Sequence, residues 1–543
     1  MNLLPFLRSP PFPDVAADTA AISVDAADAA EVGVATDAVL AAIADARVGG
    51  TFWGEQPRGA AVLIGAGIVV RADGLDGTDP DDVALMPGAR YDRPGVRRLP
   101  MASDPWWLVS QCGQVHADPD DELALVAGLC NVPVFGADGA PVAPDSLSDG
   151  LRRRIAAARY RDCFTGEPVD VIQALSILAD WRRHIDRNRG IAAASGMAFW
   201  KRKAIRQFLW DGIGSPPMMS AAPGLRRAVK EAGALAIWPS RVSADLPEQA
   251  ARADVPLVRV EDGFIRSRGL GAGLHPPGSI VIDRSGIYYD GGRASDLESL
   301  LATHAFPKSL TDRARRLRTR LCATGVTKYG ANGGSMIELP VGKRTILAVG
   351  QVDDDLSVKL GGAGVSGNLD FLERVRRAEP DAWIIYRPHP DVQAGHRKGH
   401  LPDSAVLALA DTIDTGAPLM ELVQAVDDVH VLSSLTGFEA LMRGCAVTVH
   451  GMPFYAGWGL TRDLAPVPAR RGRRLSLDQL VAGALILYPS YLDPMTNLPC
   501  GPELMVNRLA DGFTPSATSL IRLRALQGKL RRFMTLSAEF LHG

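Results

Sequence analysis

The chain has 543 residues, 47% of them hydrophobic and 22% charged, with a net charge of -2. That balance is typical of a globular protein and gives no global pull towards nucleic acid, so no nucleic-acid partner is expected. The length favours several α/β units over a single core.

No apolar run approaches the length of a membrane span; residues 60–70 are apolar but broken by glycines, as in a buried strand. The start, Met1-Asn2-Leu3-Leu4-Pro5-Phe6-Leu7-Arg8, lacks the basic opening and long apolar middle of a secretory signal, which places the expected compartment in the cytoplasm. The six cysteines, Cys112, Cys130, Cys163, Cys322, Cys445 and Cys500, show no C-x-x-C spacing, so neither a zinc ribbon nor a disulfide framework is indicated.

In chain order, residues 1–50 are rich in Ala, Asp and Pro, with a helix expected over 37–46 behind Thr36 as N-cap. From 60 to 136 short apolar runs alternate with polar turns and one helix near 121–127, a small α/β unit. This unit has echoes downstream. Val115-His116 returns as Val429-His430, and the string at 160–168 returns at 491–499, both reading Y-x-D-x-x-T-x-x-P. Ordered echoes at similar separation imply a duplication of domain size. The first copy has Pro119-Asp120 where the second has Ser433-Ser434, and it lacks a counterpart of the acidic stretch at Glu261, so residues 1–150 are read as a degenerate, non-catalytic remnant.

Residues 151–198, with Arg152, Arg153, Arg154, Arg182, Arg183, Arg187 and Arg189, read as a helical basic linker. Strand and helix then alternate in two blocks, 199–340 and 341–500, which implies two doubly wound sheets facing a cleft. Residues 501–543 read as a C-terminal helical segment, with an amphipathic basic helix over 520–533.

Four motifs carry chemistry. The strand expected over 256–260 ends at Glu261-Asp262-Gly263, with Arg266 four residues after Asp262. Paired acids, a flexible glycine and a cation at a strand's carboxyl end suit a site for a reactive anionic substrate, although an acidic turn reads the same way. His389 stands between Pro388 and Pro390 after the strand near 383–386; the restricted backbone helps aim its imidazole into a cleft. Ser433-Ser434 follow a strand and open a helix, where hydroxyls either cap the helix or hold a phosphate. Glu439 inside that helix suits ribose hydroxyls. Asp353-Asp354-Asp355 reads as an acidic loop lining the cleft rather than a metal site, and Gly399 between His396 and His400 weakens a helical zinc reading, so no metal is assigned. Basic runs at 313–320, 470–474 and 522–532 read as solvated faces that also suit anionic lipid headgroups.

Taken together and in order, these motifs resemble the capsule polysaccharide β-Kdo transferases of the KpsC/LpsZ family. The resemblance spans roughly residues 199–500 and rests on 260–271 (VEDGFIRSRGLG), 287–298 (IYYDGGRASDLE), 327–329 (TKY), 350–355 (GQVDDD), 387–395 (RPHPDVQAG), 433–444 (SSLTGFEALMRG) and 452–461 (MPFYAGWGLT). It implies a GT-B glycosyltransferase of two Rossmann-like domains, the first on the acceptor side and the second binding the donor. The reaction implied is transfer of 3-deoxy-manno-octulosonic acid (Kdo) from CMP-Kdo, with retention, to a Kdo-terminated glycolipid. The acid pair, His-Pro and Ser-Ser elements are also similar to motifs in bacterial sialyltransferases.

Retention suits a carboxylate nucleophile, which the resemblance assigns to Asp262, with Glu261 as supporting or alternative acid/base. His389 would stabilise or protonate the departing phosphate with Ser433 and Ser434, without a metal or other cofactor. Arg266 would take the Kdo carboxylate, and Lys328, Gln351 and Arg387 would be further contacts. The chain departs from the family pattern in three places. Arg387 stands where Lys is usual, Trp238-Pro239 replaces Trp-Gly, and Asp353-Asp354-Asp355 replaces Glu-Asp-Asp. An anionic membrane surface and the capsule export machinery are the implied partners. Transfer of another CMP-activated acidic sugar, or a non-catalytic role in capsule assembly, remain the alternative readings.

Overall fold

The acidic stretch does end a strand. In the computed structural model, which describes residues 4–25, 36–71, 75, 78–265, 276–324, 335–395 and 397–512, that strand is Leu257–Asp262, and both acids are its last members. The chain divides into two compact units: residues 1–189, 205–216 and 495–500 form the first, and 190–204, 217–494 and 501–543 the second.

The second unit carries two sheets. One runs in the order Ile191–Ser195, Ala234–Ile237, Leu257–Asp262, Ser279–Asp283, Pro489–Leu492. Its first three strands are parallel, and the last two pair antiparallel. The sheet is therefore mixed rather than doubly wound throughout. Apolar patterning marks a strand but not its direction, which depends on the neighbour it finds. The other sheet is wholly parallel, in the order Thr412–Ile413, Trp383–Arg387, Thr345–Val349, Asp428–Val431, Val447–Val449, Arg462–Asp463. Its three central strands are buried on both faces apart from Trp383, as expected when helices cover a parallel sheet. These are Rossmann-like layers in a mixed α/β chain. Because the strand order reverses between Thr345–Val349 and Asp428–Val431, the carboxyl ends of those two strands bracket the crevice where such sheets bind ligands.

The first unit has its own parallel sheet, ordered Arg97–Arg98, Val83–Leu85, Val62–Ile64, Gln114–His116, Val134–Phe135. Chain order around the central strand is the same as in the parallel sheet of the second unit. Tyr160 and Tyr491, the first residues of the repeated string, each donate a hydrogen bond to a carbonyl a few residues upstream, Ile155 O at 3.0 Å and Leu485 O at 2.8 Å. At the reversal point of the first unit, Gly65 lies so near Ala117 that a Cβ on it would meet the alanine methyl at 2.8 Å. The helix that follows, Glu122–Leu129, is capped by Asp121, an acid in the N-cap role that Ser434 takes in the second unit.

Residues 151–198 are not a linker. Pro144–Ala156 and Val171–Asn188 are helices of the first unit, and Ala174, Leu175, Leu178, Trp181 and Ile185 of the second helix lie in its core. Their helical spacing forms an apolar stripe that the surrounding arginines obscure in the sequence. The arginines do structural work: Arg182 donates to Asp186 at 2.7 Å and pairs with Asp104 at 3.0 Å, while Arg189 donates to Gly54 O at 3.0 Å. Other boundaries shift as well. The sheet that bears the acidic pair begins at Ile191, before residue 199, and regains Pro489–Leu492 from the end of the second block. The helix expected behind Thr36 is present as Asp37–Ala46, though the threonine side chain makes no cap bond. Past residue 512, including the basic helix expected over 520–533, the chain lies outside the described residues.

Two of the basic runs are only in part solvated, with Arg315, Arg316, Arg320, Arg470 and Arg474 exposed and others drawn into the fold; the run at 522–532 lies outside the described residues. Arg471 is buried and donates to Glu298 Oε2 at 2.6 Å and to Pro453 O at 2.7 Å. Arg473 reaches His304 O at 2.7 Å, Arg313 pairs with Glu503 at 2.7 Å, and Arg315 with Asp478 at 2.9 Å. Guanidinium donors match carbonyl and carboxylate geometry, so arginines close to a fold are drawn into it. Among the described residues no helix is long and apolar enough to cross a membrane.

Candidate functional site

Successive strand residues point to opposite faces, so Glu261 and Asp262 enter different surroundings. Asp262 meets a cation: Lys201 Nζ is 2.8 Å from its Oδ1, and the same ammonium lies 3.7 Å from the centre of the Trp238 ring. Lys201 is buried, at 7% exposure. Gly263 lets the chain pass the neighbouring strand, because a Cβ there would lie 2.3 Å from Ser279 Oγ.

Glu261 folds back to accept the Asp262 amide at 3.1 Å. Burial of its carboxyl, reinforced by the adjacent Asp262 charge, pushes it up to about 7, against the amide hydrogen bond and Lys201, which act in the opposite sense. Asp355 adds to the upward push. Burial likewise holds the Tyr288 and Tyr289 hydroxyls well above the usual tyrosine range, with Glu261 the next cause for each.

The raised Glu261 carboxyl makes the stability of the fold depend on pH. Below its ordinary value of 4.5 the carboxyl is protonated in folded and unfolded chains alike; between 4.5 and about 7 only the folded chain holds the proton, so stability falls as pH rises through that window. Glu261→Gln cannot ionise. It is expected to melt above the wild type at about pH 8, with the gain shrinking as pH is lowered through the window. Thermal melts across pH check this, and a gain independent of pH would contradict it.

The facing sheet supplies the polar groups at its reversal point. Gln351 follows the strand Thr345–Val349 and Ser433 follows Asp428–Val431; Gln351 Nε2 donates to Ser433 Oγ at 3.1 Å, and Ser433 N donates to Gln351 Oε1 at 2.7 Å. Ser434 is the N-cap of the helix Leu435–Met442, accepting Thr436 N at 3.2 Å, and Tyr455 OH donates to its carbonyl. Ser434 is therefore a helix cap, whereas Ser433 is tied to Gln351 at the ends of the two strands. Glu439 is buried inside that helix.

His389 is an N-cap: its Nδ1 accepts the Asp391 amide at 3.1 Å. This fixes the neutral tautomer with the proton on Nε2, a donor. Arg387 is buried and pairs with Asp414, with a further bond to Ala417 O at 2.7 Å, so its guanidinium holds the 414–417 turn. Arg266 and Lys328 lie outside the described residues, as does His396.

Gly361 is one of the places where the two halves meet. A Cβ on Gly361 would lie 3.0 Å from Tyr289 O and 3.5 Å from Ser433 Cβ, which brings the tyrosine pair beside the acids into the neighbourhood of the Ser433 loop. Asp355 faces the same way. It caps the helix Leu356–Gly361 through Ser357 N at 2.9 Å while acting on Glu261, as an acidic residue of the cleft. An aromatic cluster lies between the halves: Phe264 is 4.6 Å from Phe454 and 4.7 Å from Tyr288, and Phe438 is 5.2 Å from Phe454, centre to centre.

Sequence reasoning missed Lys201, Trp238 and the tyrosine pair as parts of the site. Lys201 stands in a basic string, and nothing local distinguishes it from its neighbours. One further cluster has ligand-like spacing, Glu379, Asp428 and His430, whose ligand atoms lie within 4.8 Å of one another. It sits at the amino edge of the strand Asp428–Val431, opposite the end bearing Ser433. Arg344 pairs with Glu379 at 3.2 Å and with Asp428 at 2.9 Å, and Arg462 pairs with Glu379 at 2.6 Å, so its carboxylates already carry cations.

Residues 233–491 match the family described as Capsule polysaccharide biosynthesis protein. The chain is 39% identical over 341 residues to the capsule polysaccharide modification protein LipA of Neisseria meningitidis serogroup A, covering 63% of this chain and 48% of LipA. It is 44% identical over 248 residues to the lipopolysaccharide-processing protein LpsZ of Rhizobium meliloti, covering 45% of this chain and 56% of LpsZ. The chain thus spans about half the length of these curated relatives, 48% and 56%.

Among solved structures, the β-Kdo 2,7 transferase of Thermosulfurimonas dismutans KpsC is 33% identical, with a TM-score of 0.50, over 59% of this chain and 99% of that one. The β-Kdo 2,4 transferase of the same KpsC is 30% identical, with a TM-score of 0.51, over 59% of this chain and 98% of that one. With that solved transferase module matched over almost its whole length, and with the motif strings lying on the strands and helices just described, this chain belongs to the KpsC/LpsZ family.

Proposed function

We propose that the second unit is a retaining β-Kdo transferase that moves Kdo from CMP-Kdo to a Kdo-terminated glycolipid in capsule linker synthesis. The observation that carries this is a cation-held carboxylate, Asp262, in the same unit as the polar reversal point at Gln351 and Ser433, with Asp355 of the facing sheet acting on the adjacent Glu261. The solved β-Kdo transferases this chain resembles supply the sugar.

In this reading Asp262 attacks the anomeric carbon and forms a glycosyl ester as the bond to the phosphate oxygen breaks, with its electrons leaving on CMP. The His389 Nε2–H and the amino end of the helix Leu435–Met442 stabilise that phosphate. An acceptor hydroxyl then attacks the same carbon, Glu261 takes its proton, and Asp262 departs as carboxylate. Two inversions give net retention. Glu439 would hold the ribose and Arg266 the sugar carboxylate, with Lys328 a further contact. Arg387 would act by holding its turn. No metal or cofactor enters these steps. The first unit, with an acid-capped helix at its reversal point, is read as a remnant that binds no donor.

The test is CMP release on mixing the purified chain with CMP-Kdo, generated in situ, and a synthetic β-Kdo-terminated lipid. Acceptor-dependent release is expected. Release with another CMP-sugar but not CMP-Kdo would reassign the donor, and release with none would favour a non-catalytic assembly role beside the export machinery. Flotation with anionic vesicles tests the membrane partner.

A further inference from the structure

We propose that Lys201 is a positioning residue for the acidic pair, acting on the reaction through Asp262 and Glu261 rather than through substrate. The proposal rests on the transferase reading above, since it concerns how that site is held. Lys201 stands between the strand Ile191–Ser195 and the helix Arg202–Phe208, with its amide bonded to Ala198 O at 2.9 Å. The turn before it needs Gly196: φ there is +80°, and a Cβ would lie 3.0 Å from Val242 Cγ1 and 3.1 Å from Trp238 O. That close approach sets Trp238 beneath the ammonium, 3.7 Å away, while Asp262 Oδ1 is 2.8 Å away.

A cation held between an indole face and a carboxylate, with 7% of its residue surface exposed, has few other places to go. A buried ion pair is a poor route to stability, because apolar residues of similar volume serve as well or better. Its value here is orientation: it fixes the carboxylate assigned as nucleophile at the end of its strand. The groups acting on Glu261 from the elements around it are Asp262, Lys201 and Asp355, and Glu261 acts in turn on Tyr288 and Tyr289. Arg259 also faces Tyr289. Lys201 opposes the burial and the two aspartates, so removing it must move the Glu261 titration upward from about 7.

The experiment compares Lys201→Met, Lys201→Gln and Lys201→Arg with wild type in acceptor-dependent CMP release across pH, with thermal unfolding to confirm folding. The neutral variants are expected to lower kcat at least about tenfold with the donor KM nearly unchanged, as when an interaction made only in the transition state is lost. Their activity limb near pH 7 should shift to higher pH, and Lys201→Arg should restore its position and part of the rate. A limb that stays in place in a folded neutral variant, at any rate, overturns the proposal, because a merely structural lysine would scale activity without moving it. Lys201→Gln, polar and neutral, carries the test if Lys201→Met does not fold. Wild type without turnover would instead sink the transferase reading, which this outcome separates from the role of Lys201.

Discussion

Replacing Asp262 with asparagine is expected to reduce acceptor-dependent CMP release by on the order of 10⁴-fold or more, the scale seen when a covalent nucleophile is removed. Asparagine is the informative change because it keeps the shape and leaves an oxygen for Lys201, whereas alanine would strand a buried ammonium that now has a partner at 2.8 Å. His389→Asn should cost less, about 10²- to 10⁴-fold, as for a proton donor whose leaving group is already a good one. Asparagine can still cap the turn that His389 Nδ1 now caps, so the loss would report on the Nε2 proton rather than on folding. Steady-state and single-turnover release, with thermal melts of each variant, check both. An Asp262→Asn enzyme within about tenfold of wild type would remove Asp262 from the nucleophile's role.

Glu298→Ala is expected to be the most damaging change to stability, at about 3–5 kcal/mol, the usual consequence of leaving a buried charge without its partner. Glu298 lies on the helix Asp296–Thr303, which follows the strand Ser279–Asp283, and takes Arg471 at 2.6 Å and also Arg470 from far along the chain. The side chains of Glu298 and Arg471 are 5% and 2% exposed, and Arg471 also donates to Pro453 O and Ala456 O. Denaturant unfolding would read the loss directly. Exchanging Glu298 and Arg471 together for apolar residues of similar volume should recover much of it, which a simple packing defect would not do. A Glu298→Ala midpoint equal to wild type would show that the guanidinium finds other partners.

Much of the site was legible because its groups sit at element ends, where sequence signals are strongest. The run at 256–260 marked a buried strand, which placed Glu261 and Asp262 at its end, and the prolines around His389 marked a turn after a strand. Ser433 and Ser434 announced a helix start. What the chain could not disclose locally was the difference between the two acids. Both are carboxylates on adjacent residues, and only the placement of Lys201 beside one and of burial and Asp355 around the other separates them. Arg387 shows the converse: as a cation beside the His-Pro motif it read as a ligand for substrate, yet Asp414, far along the chain, takes its charge.

The sequence by itself determined the element types, the echo between the first and second units and the family, because these depend on periodicity, turn chemistry and ordered strings of residues. The tertiary structure decided strand direction in the sheet that bears the acidic pair, the placement of Val171–Asn188 in the first unit's core, and the burial of Arg182 and Arg471, which looked solvated. Each of these depends on a partner distant in the chain, and the energy of a charge or an apolar face is set by what finally covers it.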